Sequence, residues 1–392
     1  MGSSPLRSCD LKMKIVILQT SLKPGNSAWV RTANVAGHFI DLGHQVAVRI
    51  IKKLPEASFR GQYAFSISSW TGLFRDLCRK DVLLVANGYN AMGAALAARL
   101  LGVPFVFDMH GLLAAELALG RENQLGQFSR MGVKMASFFE DFAMRQAQMI
   151  FCVSRPMMEY LSEQKGVAKQ RLAYLPNGVH TGHFAPTDRS ETQRVRSMMG
   201  LNGQVVFGYI GAYGVWQGVE NFIQAARRFR KRKEVAFLIV GGSQKGKEDN
   251  LFFIPWMPPD RVQENYAACD VLVLPRGRSL ATEVASPTKF GEYAAMGKPV
   301  LLSDVGEAAS WARTYSCGIV TPDNAVESLE AGITRFLTMP PEDLRAMGQR
   351  ARKLAEEELD WKVIFRRLSL DDRLLSQGYS GAGQPLSRPK GA

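Results

Sequence analysis

Along the chain, short and almost uninterrupted apolar runs alternate with longer stretches whose apolar positions recur every third or fourth residue. Runs of the first kind fit strands buried on both faces of a parallel sheet, and the second kind fit helices that cover such a sheet. The first run, Lys14-Ile-Val-Ile-Leu-Gln19, predicts a strand. A polar loop with Pro24-Gly25-Asn26 follows it. A helix then carries Val30, Ala33, Gly37 and Ile40 on one stripe, with Gly43 as its C′ residue. The alternation goes on through strands at 45–51 and 81–86, a helix at 90–101, a strand at 105–108 and a long helix at 126–148. A strand at 149–153 leads to Ser154 and another helix. Strand 172–175 then runs into Pro176-Asn-Gly-Val-His180 and a polar, Pro-containing stretch to Asp188, the expected interdomain connection.

Beyond a short helix the pattern restarts. Strands are predicted at 205–210, 235–240, 251–254, 271–274 and 300–302, with helices at 219–230, 259–269, 287–296 and 325–337. Strands alternating with helices over this length predict two doubly wound parallel-sheet α/β domains, and 392 residues suit two cores better than one. The boundaries are set at 13–184 and 185–358. A leader at 1–12 and a Gly/Pro/Ser-rich tail at 377–392 are expected to be disordered. The amphipathic segment within 359–376 is expected to pack back toward the first domain.

A hydrophobic share of 46% and a charged share of 22% are those of a folded globular enzyme. The richest apolar segment, Ala86 to Phe107, is interrupted by Asn87, Asn90, Arg99 and Pro104, so no membrane-spanning helix is predicted. The leader has no apolar core and does not read as a secretory signal. Five scattered cysteines without C-x-x-C spacing read as free thiols of a reducing cytoplasm rather than as metal ligands. A net charge of +13 raises two partners, nucleic acid and an anionic membrane. The densest basic run, Arg227-Arg228 with Arg230-Lys-Arg-Lys233, ends an amphipathic helix. It reads either as a solvated helix end near the C-terminal dipole or as a patch for a membrane or acidic acceptor. No basic motif interleaved with aromatic residues supports nucleic acid.

In open α/β sheets ligands bind beyond the carboxyl ends of the strands. The loop Gly211-Ala-Tyr-Gly-Val-Trp-Gln217-Gly218 follows one such end and feeds a helix, where glycines and bare amides suit a phosphate. Gly241-Gly242-Ser-Gln-Lys-Gly-Lys-Glu248 mimics a Walker A loop, but Glu248 replaces its Ser or Thr and a strand follows, so it reads as a turn near a phosphate or a plain loop. In Ser286-Pro-Thr288-Lys289-Phe-Gly-Glu292, Ser286 is the expected N-cap and Pro287 the first helical residue. Lys289 is badly placed for the helix dipole, which a bound anion would explain. Glu292, one turn on, is placed to accept two ribose hydroxyls. His110, after strand 105–108 and beside Gly111, is a site candidate, whereas His38 and His44 read as structural or surface residues.

Pro176-Asn-Gly-Val, Asp270-Val-Leu-Val-Leu-Pro275 and Lys289-x-x-Glu292-Tyr-x-Ala-x-Gly-x-Pro-Val resemble the signature segments of the retaining family-four glycosyltransferases. Gly25, Gly43-His-x-Val46, Asp108-x-His110-Gly111, Val153-Ser154 and Asp360-Trp361 fall in the family's order, so the resemblance spans about 13–375. It implies a GT-B fold with an acceptor-side first domain and a donor-binding second one. It also implies metal-independent transfer, with retained anomeric configuration, from a nucleotide-diphosphate sugar to a glycan or lipid-linked acceptor. The implied setting is envelope polysaccharide or glycoconjugate synthesis in the cytoplasm, with peripheral membrane contact. On that resemblance Glu292 binds the ribose, Gly211, Gln217, Gly218, Gly241, Gly242, Ser286 and Thr288 surround the donor, and His110 and Glu283 are catalytic. Gly25 and Asn26 lie on the acceptor side.

The chain also departs from the family. The clamp that the family commonly builds from Arg and Lys corresponds here to Ala212 and Gln217, which leaves Arg276, Arg278 and Lys289 as replacement cations for the diphosphate. The first of the family's paired carboxylates would fall on Val284, and this chain offers Glu283. Two alternatives stay open: a nucleotide-sugar epimerase on the same fold, and a non-catalytic GT-B partner subunit.

Overall fold

The protein, seen in a computed structural model, is described over residues 12–19, 27–50, 64–67, 70–78, 80–86, 91–119, 127–257 and 261–368. The expectations for Gly25 and Asn26, for most of the leader and for the tail fall outside these residues.

The first domain comprises β1 (Lys14–Gln19), α1 (Ser27–Asp41), β2 (Gln45–Ile50), β3 (Ala64–Ile67), α2 (Trp70–Leu77), β4 (Val82–Ala86), α3 (Ala91–Leu101), β5 (Phe105–Met109), α4 (Leu113–Leu119), α5 (Gln127–Gln146), β6 (Met149–Cys152), α6 (Arg155–Glu163) and β7 (Leu172–Tyr174). Its strands are parallel and ordered β3-β2-β1-β4-β5-β6-β7. The apolar run of β1 is buried on both faces, as its composition requires. Val16 and Leu18 pack with Ala94, Ala95 and Ala98 of α3, while Ile15 and Ile17 pack with Val35 and Phe39 of α1.

The second domain comprises α7 (Arg189–Met199), β8 (Val205–Ile210), α8 (Val219–Arg227), β9 (Val235–Gly242), β10 (Gly246–Glu248), β11 (Leu251–Pro255), α9 (Val262–Ala268), β12 (Val271–Leu274), α10 (Leu280–Glu283), α11 (Thr288–Ala295), β13 (Val300–Ser303), α12 (Gly306–Thr314), β14 (Gly318–Thr321), α13 (Val326–Leu337) and α14 (Pro341–Leu354). The strand order is β10-β11-β9-β8-β12-β13-β14, with only β10 antiparallel to its neighbour. Apart from the edge strands, both sheets repeat one doubly wound order. Each therefore has a topological switch point, β1/β4 in one and β8/β12 in the other, where a crevice opens at the strand ends.

The chain crosses between the domains twice, and the crossings are tied together. The Val179 amide donates to the Leu359 carbonyl at 2.8 Å, and the Trp361 amide donates to the Val179 carbonyl at 3.2 Å. Asp360 caps the final helix, α15 (Trp361–Arg367), and also accepts from the Thr181 amide at 3.1 Å. Trp361 and Ile364 of α15 enter the core of the first domain. Gly178 permits this, because a Cβ there would lie 2.6 Å from the Trp361 ring. A second seam closes the back of the gap. Arg155 of α6 meets Glu307 of α12 at 3.1 Å, and the Tyr174 hydroxyl donates to the same carboxylate at 2.9 Å.

Several elements go beyond the sequence reading: β3, α2, α4, β10, α10, α12, β14 and α14. The pair β3–α2 has no long apolar run to announce it, its strand being only Ala-Phe-Ser-Ile. The strand β10 is the polar stretch Gly246-Lys-Glu248, half of a hairpin with β11. That hairpin occupies the Walker-like segment, and Glu248 pairs with Arg227 at 2.9 Å.

Candidate active site

From the first domain, the end of β5 brings Asp108 and His110 to the gap. Asp108 is buried and takes the guanidinium of Arg31 from α1, with Nη2 at 2.6 Å and Nε at 3.0 Å from its oxygens. Arg31 also donates to the Leu175 carbonyl at 2.8 Å, tying β5 to the start of the crossing segment. Burial opposes the charge on Asp108, but Arg31 and then His110 overcome it and hold the carboxyl well below its ordinary range. An ionised carboxylate can only accept. The His110 Nε2, 2.9 Å away, is therefore the protonated nitrogen, and Nδ1 is left as the other ring position.

From the second domain, the loops after β8, β9 and β12 and the start of α11 converge. The Lys289 ammonium donates to the Tyr209 hydroxyl at 2.6 Å and to Gln217 Oε1 at 3.3 Å, and it lies 4.5 Å from the centre of the Tyr209 ring. Burial, with the nearby charge of Arg276, pushes its pKa down to about 7 despite Glu292. Arg276 follows β12 and is itself buried. Its Nη1 is 3.4 Å from the Thr282 carbonyl and its Nε has no hydrogen-bond partner. Burial pulls even this guanidinium down to about 10. Arg276 and Lys289 are thus two desolvated cations near one another with no ion pair to any described carboxylate, an arrangement that an anion bound between them would stabilise.

The expected glycines serve this convergence by their missing side chains. A Cβ on Gly211 would lie 2.0 Å from Lys289 Cε, one on Gly218 1.7 Å from the Pro275 carbonyl, and one on Gly241 2.2 Å from the Gly211 carbonyl. Gly242 lies against the Tyr213 ring. The space freed at these positions holds protein rather than ligand, so the glycine signal reports loop–loop contact first. Gly218 also starts α8 with a left-handed φ of +67°.

Glu292, one turn along α11, accepts a 2.5 Å hydrogen bond from the Tyr266 hydroxyl. Burial raises its pKa, while Tyr266 and Lys289 oppose the shift. One carboxylate oxygen is therefore already engaged, and the expected two-hydroxyl grip would have to share it.

Several expected roles need correction. Pro287, not Ser286, is the N-cap of α11, and Thr288 rather than Pro287 is its first residue. Ser286 instead makes an interdomain contact, its Oγ accepting from the Asn177 amide at 3.3 Å and its carbonyl from Asn177 Nδ2 at 2.7 Å. Glu283 is spent on structure. Its Oε2 accepts from the Gly306 amide, the first of α12, at 2.8 Å, and its Oε1 lies 3.3 Å from Arg278. Arg278 is exposed and faces Glu283 and Asp304, so it does not join Arg276 and Lys289. In the basic run at the end of α8, Arg227, Arg228 and Arg232 are bound to Glu248, Glu327, Glu330 and Glu234.

Sequence reasoning missed Tyr209, Tyr266, Arg31 and Glu116. Tyr209 and Arg31 could not stand out, since one lies in an apolar strand and the other amid an ordinary helix. Glu116 of α4 faces Arg276 across the gap, and the bare Cα of Gly111 makes room for it: a Cβ there would be 2.1 Å from Glu116 Oε1.

Two parallel-sheet domains facing across a gap, with cations at the switch point of the second, define a GT-B-type glycosyltransferase. The sequence model described as "Glycosyl transferases group 1" matches residues 196–354, and the one described as "Glycosyl transferase 4-like domain" matches residues 43–178. The second domain thus matches the group 1 glycosyltransferases and the first the glycosyltransferase 4-like domain, and the chain is a glycosyltransferase of the GT-B type. It is 26% identical to WcaI of Escherichia coli strain K12, assigned to colanic acid biosynthesis as a glycosyl transferase, over 79% of this chain and 78% of that one. It is 25% identical to the 2-deoxystreptamine glucosyltransferase of Streptomyces kanamyceticus over 62% of this chain and 68% of that one. Among solved structures, HepE of Anabaena in complex with UDP superposes with a TM-score of 0.73 at 18% identity, over 93% of this chain and all of that one. WaaG, a glycosyltransferase involved in lipopolysaccharide biosynthesis, gives 0.67 at 17% identity, over 90% and 98%.

Proposed function

We propose that this glycosyltransferase takes a sugar from a nucleotide-diphosphate donor and passes it to a glycan or lipid-linked acceptor with retention of configuration. The observation that carries the donor class is the pair Arg276 and Lys289. Two buried, desolvated cations at the carboxyl ends of the strands want one doubly charged partner, and a diphosphate supplies it. The HepE structures with UDP and UDP-glucose support the same class by likeness of fold.

In this reading the clamp has moved. Its cations come from the end of β12 and the first turn of α11, while Gln217 orients the Lys289 ammonium from the loop after β8. As the bond between the sugar and the diphosphate breaks, negative charge grows on the leaving group, and fixed cations already in place stabilise it. Glu292 holds the ribose. His110, oriented by Asp108, approaches the transferring sugar from the first domain. The diphosphate charge falls to Arg276 and Lys289 and not to a metal, so chelators leave turnover intact.

The acceptor belongs to envelope polysaccharide or glycoconjugate synthesis, a reading supported by the relatives named for colanic acid and lipopolysaccharide. The enzyme works at the cytoplasmic face of the membrane as a peripheral protein. No helix among the described residues is long and apolar enough to cross a membrane. UDP, GDP and ADP are screened for thermal stabilisation, and the sugars of the stabilising nucleotide are then tried for turnover. If none of the three stabilises the protein, the donor class is wrong.

A further inference from the structure

We infer that the outer face of α5, with its neighbour α3, is the surface by which the protein lies on an anionic lipid bilayer. This deepens the peripheral-membrane part of the reading above and rests on it. On α5 the side chains of Met131, Met135 and Phe138 recur at helical spacing and are 60%, 48% and 63% exposed. Large apolar side chains left open in a row on one helix mark an interaction surface, unlike apolar residues scattered singly. The packed neighbour α3 adds exposed Leu96 and Leu100, and Arg99 Nη1 donates to Gln146 of α5 at 3.0 Å.

The charge around this row selects the occupant. Arg130 and Lys134 are exposed beside Met131 and Met135, and Arg99 and Arg145 are exposed toward the helix ends. α3 contains no carboxylate. The two carboxylates of α5 face elsewhere: Glu140 is buried and accepts from the Leu113 amide, and Asp141 is bound to Lys165 at 2.8 Å. Among the described side chains of α3 and α5, the exposed charges beside the apolar ridge are all cations. This matches an interfacial helix, which sinks its apolar side chains among acyl chains while its cations meet anionic headgroups. A second copy of the chain is a poorer partner, since self-pairing would set these cations against one another. The basic run at the end of α8 is a poorer membrane face, because neither α8 nor the run exposes a large apolar side chain and Arg227, Arg228 and Arg232 are bound to glutamates.

The full-length protein is sedimented with vesicles of phosphatidylcholine containing phosphatidylglycerol, and with phosphatidylcholine alone. Binding to the anionic vesicles is expected, weakened by high salt. A Met131→Ser, Met135→Ser, Phe138→Ser variant lowers the partition coefficient roughly tenfold or more. An Arg130→Glu, Lys134→Glu variant, which leaves the apolar row intact, loses the preference for anionic lipid. Stabilisation by UDP, GDP or ADP is measured on the same samples. If both variants keep the wild-type nucleotide response and lose vesicle binding, the inference stands. Wild-type protein that stays in the supernatant, or variants that sediment as before, overturn it. So does a concentration-dependent dimer that the serine variant dissolves. Absence of any nucleotide response in the wild type would count against the donor reading and leave this one in place.

Discussion

The Lys289 ammonium sits 2.6 Å from the hydroxyl of Tyr209, under a backbone where a Cβ on Gly211 would lie 2.0 Å from Lys289 Cε. This contact explains why a lysine is tolerated in the first turn of a helix, where the dipole disfavours it. The side chain runs away from the helix toward the end of β8 and finds neutral acceptors there. Its charge stays uncompensated by any close carboxylate contact, which keeps it ready for an anion.

The pH dependence of donor binding follows from that placement. Burial and Arg276 push the Lys289 pKa down to about 7. A bound diphosphate favours the ammonium and raises this value, so above about pH 7 binding takes up a proton. Nucleoside diphosphate affinity should fall as pH rises from about 7 to about 9, by at most tenfold per unit. Lys289→Arg, charged throughout that window, should flatten the profile. Calorimetric titrations across this range check it; an unchanging dissociation constant in the wild type would show that Lys289 does not charge on binding.

Arg276→Met should separate stability from function. Replacing a buried, partly unpartnered cation with an apolar side chain of similar length is often neutral or stabilising. The melting temperature should therefore hold or rise, while nucleoside diphosphate affinity drops about 10- to 100-fold with the loss of charge-assisted hydrogen bonds. Thermal melts with and without nucleotide test both halves. A variant that melts much lower yet binds nucleotide normally would make Arg276 a structural residue.

Glu292 and Glu283 should behave oppositely. Glu292→Ala should weaken donor binding severely, because Glu292 lies one turn along α11 from Lys289, where the proposed donor would sit. Glu283→Gln removes much of an acceptor for the first amide of α12 and should cost about 1 kcal/mol of stability, the usual scale for a lost cap. Turnover should change by no more than about threefold. A collapse of turnover in Glu283→Gln with normal folding would restore the catalytic role expected from its spacing.

The β8/β12 side of the fold was legible because buried parallel strands write themselves as apolar runs, and the run of β8 or β12 admits no other element. The edge pieces were not: β3 and β10 are short, and one is polar, so packing against a neighbour decides them rather than composition. At the site, Lys289 and Glu292 were found through their positions at the start of α11. Arg276 stands out in the sequence only as one of the cations that could replace the missing clamp. Arg278 and Glu283 misled because spacing along the chain does not say which way a short helix such as α10 turns its side chains. The capping box of Ser279 and Thr282 fixes that turn and points Glu283 at α12. Ser286 misled for a related reason. Its hydroxyl was wanted by Asn177 of the other domain, and Pro287 took the cap position without a side-chain bond.

His110 depends on Asp108 for its tautomer. Asp108→Asn keeps the shape but offers an amide in place of an ionised acceptor, and it also weakens the Arg31 pair. Turnover should fall by about tenfold or more, with nucleotide affinity almost unchanged, since the change lies in the other domain from Arg276 and Lys289. Steady-state kinetics beside nucleotide titration separate the two; an equal loss in both would mean that the pair acts through domain packing.

The account turns on one grip, that of Arg276 and Lys289 on a nucleoside diphosphate, and a thermal melt of the wild-type chain and an Arg276→Met, Lys289→Met variant with UDP, GDP and ADP tests it directly. At a nucleotide concentration about a hundred times the dissociation constant, binding adds about 2.7 kcal/mol, or about 5 °C or more for a domain of this size. One of the three should raise the wild-type melting temperature by that much and leave the double variant unmoved. Equal stabilisation of both proteins, or of neither, would contradict it.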